Sequence, residues 1–293
     1  MIDSDTLVLY PDRRTRGTSR IVHVEPVDGD RSAVVLAETP AHPVDPTWPD
    51  QGPDRGALLV GDARWELRDC RIGAWQEGVL HLGDRLPARL GTPGWSFVVV
   101  HVVDSAAGLA PGQEAVVEID EEHRASLSLG HTACHLASLA LNAALAEFWT
   151  KPAREDSLGH PDFDQAAIQS SLIRPSGSTD VYRLGKSLRR SGVDVARLRD
   201  ELASVPTRVD ELLARWIASD ASVGVERSDA SLSTRRTWRC DLPDGAASIP
   251  CGGTHVGRLS ELGEVHVVLA LSDDGSTLTM ETDASAGQRR LRL

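Results

Sequence analysis

The chain has 293 residues, enough for one large domain or two ordinary ones, and its 41% hydrophobic and 25% charged residues are typical of a globular protein. Its net charge of −12 excludes a protein that coats nucleic acid through bulk electrostatics, and four cysteines are too few for a disulfide scaffold. No apolar stretch reaches the roughly 20 residues of a membrane-spanning helix. The first residues have neither the basic nor the apolar region of a secretory signal, so we expect no such signal. We expect a cytoplasmic protein with no membrane association and no evident stable protein partner.

Residues 1–124 contain short apolar runs separated by glycine, proline and aspartate, a spacing typical of strands joined by turns. The predicted strands are Thr6–Tyr10, Arg20–Val24, Ser32–Leu36, Ala57–Val60, Val79–Leu82, Ser96–Val103 and Ala115–Ile119. This spacing is typical of a small barrel or a sandwich, and we predict a β-barrel-like domain. Within it, residues 40–56 contain five prolines and cannot form a central strand, so we predict a structured loop there.

The second part of the chain, residues 125–293, combines helical and strand patterns. Apolar residues recur at helical spacing and predict a helix over Ser128–Trp149, and a second helix is predicted over Val209–Ser219. The predicted strands here are Thr234–Cys240, Glu264–Ala270 and Ser276–Thr282. The sequence therefore predicts an α+β fold, in which the N-terminal domain 1–124 is followed by a two-layer α+β domain 125–293 with an unusual segment at 151–233.

Two residue pairs point to a metal site. His131 and His135 are one turn apart on the predicted helix, so both imidazoles leave the same face. Cys251 and His255 have the same spacing, and the two glycines between them allow the backbone to turn tightly. Three imidazoles and a thiolate fit tetrahedral zinc and disfavour magnesium and calcium.

The ligand types alone do not separate a structural zinc from a catalytic one. The pairs lie about 120 residues apart, whereas structural zinc fingers clip short loops, and the loop between Cys251 and His255 has spare donors. Thr132 stands where a zincin protease has its glutamate base, so the chain is not a zincin. Cys134, in an apolar run between the two histidines, is interpreted as a packing residue.

The residues around both pairs resemble one family. Gly130–Leu136 reads GHTACHL and resembles the HTxxHL motif of alanyl-tRNA synthetase editing domains and of their free-standing relatives, the AlaX-type trans-editing proteins. Pro250–Val256 reads PCGGTHV and resembles the CGGTHV motif of the same family, whose domain is shared by threonyl-tRNA synthetases. Arg124 sits where the family often has arginine. The resemblance implies that 125–293 is a zinc-dependent editing domain.

The proline-rich loop shows a weaker resemblance. Larger AlaX-type proteins carry a YPxGGGQPxDxG loop on a β-barrel domain, and residues 42–56 are similar to it. The positions that are kept are Pro43, Gln51, Pro53, Asp54 and Gly56. The glycine triplet is replaced by the bulkier Trp48-Pro49-Asp50.

The resemblance implies a deacylase that hydrolyses the ester of mischarged aminoacyl-tRNA and removes serine, glycine or a threonine-like amino acid. It implies Zn²⁺ as the cofactor, the acceptor end of aminoacyl-tRNA as the partner, and the four paired residues as ligands. Gly252, Gly253 and Thr254 would supply donors to the substrate, and Thr132 would contact it. Gln169-Ser170-Ser171 is similar to a QxGSxV stretch that lines the family's pocket, which makes Gln169 a candidate; Ser176, Ser178 and Asp180 either line the same pocket or form turns.

A basic segment follows in the middle of the chain. Between residues 182 and 199, six basic residues face one aspartate, a local charge of +5 in an acidic protein. We expect Arg183, Lys186, Arg189 and Arg190 to bind phosphates of the acceptor arm. The alternative is a solvated helix face.

Two other functions are compatible with the same residues. One is a metallohydrolase acting on a small ester or amide. The net negative charge of the chain and its unusual middle segment favour this function. The other is a zinc-stabilised binding protein without turnover. The position of the basic segment relative to the metal site is the observation that separates them.

Overall fold

The computed structural model of the chain describes residues 2–83 and 85–287 and has the predicted α+β fold, with mostly antiparallel sheets. The strands are β1 (Leu7–Val8), β2 (Arg16–Pro26), β3 (Ser32–Leu36), β4 (Glu38–Thr39), β5 (Gly56–Val60), β6 (Ala63–Glu66), β7 (Asp69–Gln76), β8 (Val79–His81), β9 (Ser96–Val103), β10 (Glu114–Ile119), β11 (Ile168–Arg174), β12 (Gly177–Arg183), β13 (Val223–Glu226), β14 (Thr237–Leu242), β15 (Gly245–Pro250), β16 (Leu262–Leu271) and β17 (Thr277–Ala286). The helices are α1 (Glu121–Ala144), α2 (Phe163–Ala167), α3 (Lys186–Ser191), α4 (Val195–Glu201) and α5 (Val205–Ala218). Across the described part of the chain, no helix has the length and apolar character of a membrane span.

The chain forms two compact units. The first contains residues 1–125, 225–236 and 252–254, and the second contains residues 126–224, 237–251 and 255–293. Residues 225–236 and 252–254 therefore belong to the first unit, although the sequence patterns did not indicate this. The boundary between residues 124 and 125 stays a prediction for the domain organisation.

The first unit is built on an eight-stranded antiparallel sheet in the order β6-β5-β10-β2-β3-β9-β7-β8. Its central strand β9 is buried on both faces: Val99 and Val103 pack in one apolar cluster, and Val98, Val100 and Val102 in another. This explains its continuous apolar sequence. Within the described residues, the edge strands β6 and β8 are not paired with each other, so the sheet is not a closed barrel and the barrel-like prediction is not confirmed.

The proline-rich loop between β4 and β5 is irregular, as predicted, and is held by a buried carboxylate. Asp54 accepts a hydrogen bond from the His42 backbone N–H at 2.6 Å and one from Arg124 Nε at 2.8 Å. Arg124 Nη2 also donates to the carbonyl of Pro40 at 2.8 Å. Asp54 and Arg124 are both buried, so this ion pair fixes the loop without exposing either charge.

The second unit places helices against a four-stranded antiparallel sheet in the order β11-β12-β17-β16, beside a three-stranded sheet in the order β13-β14-β15. Its core includes the fully buried side chains of Phe148, Phe163, Tyr182, Trp216 and Trp238. The segment 151–233 contributes the hairpin β11–β12 and the helices α2 to α5. Residues 151–224 of this segment therefore belong to the second unit, and its last residues, 225–233, belong to the first.

Helix α1 approaches the β11–β12 hairpin backbone to backbone at Gly130. A Cβ atom at this position would lie 2.5 Å from the carbonyl oxygen of Arg174 and 2.6 Å from the backbone nitrogen of Gly177. Backbone atoms cannot move aside as a flexible side chain would. Gly130 thus sets how closely the hairpin packs against the turn of α1 that carries His131.

The substitution Gly130→Ala is expected to lower the free energy of unfolding by about 1–3 kcal/mol through overpacking. Alanine favours a helix over glycine by about 1 kcal/mol, so a gain in stability would contradict the steric argument. Chemical denaturation of the zinc-loaded protein measures the change. Gly224→Ala is the control, because a Cβ there meets no atom within 4 Å and should change stability by less than about 0.5 kcal/mol.

Candidate metal centre

The structure brings the four predicted ligands into one group. His131 and His135 lie one turn apart on α1, and Cys251 and His255 lie at the two ends of the loop that follows β15. Their candidate ligand atoms all lie within 4.8 Å of one another. Cys251 Sγ is 3.4 Å from His131 Nε2 and 3.2 Å from His255 Nε2. All three histidines are buried, and Cys251 is half-buried.

The two distances from Cys251 Sγ suit a small tetrahedral metal site. Bond lengths of about 2.0–2.3 Å around zinc imply ligand-to-ligand distances of roughly 3.3–3.6 Å. His135 Nε2 is buried and has no hydrogen-bond partner among the described residues. Burial lowers the pKa of His135 to about 3, so its imidazole is neutral and has a lone pair available. The group can therefore hold a metal ion.

Thr132 selects the ring nitrogen that His255 offers. The Thr132 hydroxyl donates its single proton to the carbonyl of Ser128 at 2.8 Å, so it can only accept from His255 Nδ1 at 3.2 Å. It also accepts from the backbone N–H of Val256 at 3.2 Å. His255 Nδ1 therefore carries the proton, and Nε2, the atom nearest Cys251, is left with the lone pair.

Thr132 was predicted to contact substrate. The structure places it with no exposed surface, beneath His255, with its hydroxyl engaged by three protein groups. No sequence pattern marked it as a partner of His255, because the two residues are 123 positions apart. Trp238 is a further neighbour that was not anticipated, and its ring lies 5.2 Å from that of His135.

The predicted donors of the loop differ in their surroundings. Gly252 is exposed, whereas Gly253 and Thr254 are buried. The Thr254 backbone N–H donates to Gln51 Oε1 at 3.0 Å, and the Thr254 hydroxyl accepts from Gln51 Nε2 at 3.0 Å. Gln51 is itself buried. Both polar groups of Thr254 are thus held by one carboxamide from the proline-rich loop.

A buried carboxylate lies beside the helix that carries the histidines. Asp180, on β12, accepts hydrogen bonds from Ser171 at 2.5 Å, from Ser178 at 2.7 Å and from the Cys134 thiol at 3.5 Å. Burial raises the pKa of Asp180, and these three donors lower it. Ser178 and Asp180 both lie on β12, so they are not turn residues. Cys134 contacts Asp180 and is not a member of the four-ligand group.

Two neighbouring candidates from the sequence lie elsewhere. Ser176 occupies the turn between β11 and β12, with a φ of 58°. Gln169 is exposed on β11, at the irregular end of its pairing with β12. Neither residue belongs to the four-ligand group.

The basic segment lies beyond the C-terminal end of α1. Arg183, Lys186, Arg189 and Arg190 are exposed, and none forms an ion pair within the described chain. Arg197, by contrast, pairs with Glu147 and Glu201. Four of the six basic residues are thus unneutralised on the surface.

The distance of this segment from the metal group follows from the helix. The Thr150 N–H donates to the carbonyl of Gly192 at 2.8 Å, which places α3 just past the end of α1. Ala144 lies nine residues after His135, so α3, past the end of this helix, lies about 15–20 Å along the axis from the histidines. Arg183 lies instead at the end of β12, the strand that carries Asp180.

Comparison with known proteins gives one consistent set of relatives. The alanine–tRNA ligase of Frankia alni is 29% identical over 265 residues, which cover 90% of this chain and 24% of the ligase. The ligase of Frankia casuarinae is 31% identical over 196 residues, 66% of this chain and 19% of the ligase. That of Salinispora tropica is 27% identical over 248 residues, 84% and 23% of the two chains.

The chain spans only about a quarter or less of the length of these ligases. No family model matches it. The chain is thus similar to one part of alanine–tRNA ligases, and this similarity extends over most of the chain.

Replacing the Thr132 hydroxyl should weaken metal binding without removing a ligand. Thr132→Val cannot accept from His255 Nδ1, so we expect the zinc affinity to fall about 10- to 100-fold, whereas Thr132→Ser should retain it. Competition with a chromophoric chelator measures the affinity. Ser138→Ala is the control. It removes a buried hydroxyl of the same helix, and this hydroxyl donates only to a backbone carbonyl. Wild-type affinity in Thr132→Val would contradict the assignment.

Proposed function

We propose that this chain is a zinc-dependent deacylase that hydrolyses the ester of mischarged aminoacyl-tRNA, as an AlaX-type editing protein does. The observation that carries the proposal is the four-ligand group, assembled from an HTxxHL helix and a CGGTHV loop, with His255 held in the tautomer that a metal needs. The similarity to part of alanine–tRNA ligases supports tRNA as the carrier of the ester.

Zinc, when bound at His131, His135, Cys251 and His255, supplies Lewis acidity that polarises a carbonyl and makes water nucleophilic near neutral pH. The metal group contains no aspartate or glutamate. An activated aminoacyl ester needs less help than an amide, so this ligand set suits ester hydrolysis better than proteolysis.

The protein's own groups orient the ester. Gln51 fixes Thr254 through two hydrogen bonds, and this holds the Gly252–Gly253 backbone that would donate to the ester oxygen or to the α-amino group. Thr132 acts as a positioning residue for His255. Gln169, exposed on β11, would contact the substrate from the hairpin beside α1.

The basic segment would hold more distant parts of the acceptor arm. Arg183, Lys186, Arg189 and Arg190 are exposed cations without carboxylate partners in the described chain, which suits phosphate binding. Lys186, Arg189 and Arg190 lie on α3, past the end of α1, so they would bind phosphates away from the ester and not the ester itself. The amino acid removed would be serine, glycine or a threonine-like residue.

A panel of charged tRNAs tests the proposal. Alanine tRNA carrying serine, glycine or alanine, and threonine tRNA carrying serine, would be compared with free aminoacyl esters. We expect the wild type to hydrolyse at least one mischarged tRNA. Cys251→Ala should retain no zinc and should lose at least about a hundredfold of this activity. Cys240→Ala, a buried cysteine outside the metal group, should keep both zinc and activity.

The other outcomes identify the alternatives. Hydrolysis of free esters but of no charged tRNA would favour a metallohydrolase acting on small molecules. Zinc binding with no hydrolysis of any substrate would favour a non-catalytic zinc-binding protein. Undiminished activity of Cys251→Ala would exclude a zinc mechanism through this group.

A charge-neutralising pair tests the basic segment separately. Arg189→Ala with Arg190→Ala should raise KM for aminoacyl-tRNA and reduce the slope of its salt dependence by about one to two. The matched control is Arg85→Ala with Arg89→Ala, which removes the same charge from exposed positions of the first unit. Equal effects of the two pairs would show a general charge effect and contradict a specific phosphate contact.

A further inference from the structure

The buried carboxylate on β12 is surrounded by hydrogen-bond donors but is not paired with a cation. Asp180 accepts hydrogen bonds from three side chains: Ser171 Oγ at 2.5 Å, Ser178 Oγ at 2.7 Å and Cys134 Sγ at 3.5 Å. Among the described residues, no lysine, arginine or histidine forms an ion pair with it. A buried charge is costly unless it is paired, so this group favours a cation beside it.

The charges that act on Asp180 are themselves negative. Burial and the charge of Glu281 raise the pKa of Asp180, and burial and the charge of Asp180 raise the pKa of Asp164 to about 7. Within the described chain, neither Asp180 nor Asp164 has an ion-pair partner. The inner face of the β11–β12 hairpin is therefore a place where a positive charge is favoured.

Ser171 is the member of this group that a ligand can reach. It lies directly opposite Asp180 in the pairing of β11 with β12, and it is half-buried, whereas Asp180, Ser178 and Cys134 are buried. Its hydroxyl gives its single proton to Asp180, so its oxygen can only accept a further hydrogen bond. A ligand that contacts Ser171 must therefore bring an N–H or O–H group.

Helix α1 connects this group to the metal ligands. Cys134 lies three residues after His131, a spacing that makes their side chains neighbours on the helix, about 5–6 Å apart at Cβ. Cys134 Sγ is 3.8 Å from Ser171 Oγ. These residues and the four ligands all belong to the second unit. The accepting oxygen of Ser171 is thus separated from His131 by one side chain.

We propose that Ser171 and Asp180 bind the α-ammonium group of the aminoacyl ester. This inference rests on the proposed function and names the part of the substrate that the hairpin selects. One carbon atom separates the ammonium group from the ester carbonyl, so a carbonyl at the metal group leaves the ammonium group beside the neighbouring side chains. The ammonium group donates to Ser171, and Asp180 supplies the negative charge that offsets it.

This contact separates aminoacyl esters from N-acylated esters. An acyl group on the α-nitrogen removes the positive charge and leaves one N–H donor where the ammonium group has three. The protein should therefore spare the esters of peptides and of N-blocked amino acids. Ser171 is a specificity residue for the free amino group, and Asp180 is a positioning residue that acts through the Ser171 hydroxyl.

Matched ligands with and without the ammonium group test the inference. Calorimetric titration of the zinc-loaded protein uses the amides of serine, glycine and threonine, each beside its N-acetyl derivative, and measures binding without turnover. The kcat/KM values for the corresponding methyl esters give a second ratio. We expect at least one free amide to bind about ten- to hundredfold more tightly than its N-acetyl derivative, and this preference to fall toward one in Ser171→Ala and in Asp180→Asn.

Two further variants control for folding and for the site of the substitution. Ser171→Thr keeps the hydroxyl and should retain part of the preference. Ser170→Ala should leave it unchanged, because Ser170 is exposed on the opposite face of β11. Zinc content and melting temperature identify a variant that has not folded.

Three results would overturn the inference. The first is equal binding of free and N-acetylated amides by the wild type for all three amino acids. The second is a preference that persists in both Ser171→Ala and Asp180→Asn, which would indicate that the amine binds the metal instead. The third is a loss in Ser170→Ala as large as that in Ser171→Ala.

The two proposals fail in different ways. If no ester is hydrolysed but the preference for free amides depends on Ser171, the deacylase function is wrong and the ammonium site stands. If mischarged tRNA is hydrolysed and N-acetylated esters react as well as free ones, the deacylase function stands and the ammonium site is wrong.

Discussion

The metal group depends on one hydroxyl proton. Thr132 gives that proton to a carbonyl of its own helix, and from this follow the tautomer of His255 and the direction of its lone pair. The same oxygen accepts from the backbone of Val256, so the end of the loop is tied to α1 before any ion binds. Serine is the other residue type that could make these contacts in the same space, whereas valine has the shape of threonine without its oxygen.

A second polar contact holds the other side of the loop. Gln51 uses both ends of its carboxamide on Thr254, and the proline-rich loop that carries it is fixed by the buried pair of Asp54 and Arg124. Buried polar groups that are fully paired restrict a structure to one arrangement more strongly than apolar packing does. The resemblance of this loop to a YPxGGGQPxDxG loop therefore rests on residues with a structural role. Of the three residues that replace the glycine triplet, Asp50 accepts a hydrogen bond from the Gln51 N–H at 2.7 Å.

Strong local patterns were predictable from the sequence. The strands Ser32–Leu36 and Ser96–Val103 are confirmed to the residue because both are nearly continuous apolar runs. The helix with the two histidines was predicted over Ser128–Trp149, but it begins at Glu121 and ends at Ala144, where a short 3-10 turn follows. The hairpin β11–β12 was missed, since its polar sequence lacks a strand pattern and its turn places Ser176 in the left-handed region. Contacts between distant residues, such as Gln51 with Thr254, leave no local signal that one sequence could reveal.

The interleaving of the two units has a consequence for the order of folding. Leu232 is buried in the core of the first unit, its backbone N–H donates to Thr6 and that of Val8 donates to Ala230. Arg227 adds hydrogen bonds to Val8 and Asp12. Residues 6–12 are thus paired with a segment that is synthesised more than two hundred residues later. Such long-range closure slows folding and leaves strand edges open in the meantime, so this unit is completed only after most of the other unit has been synthesised.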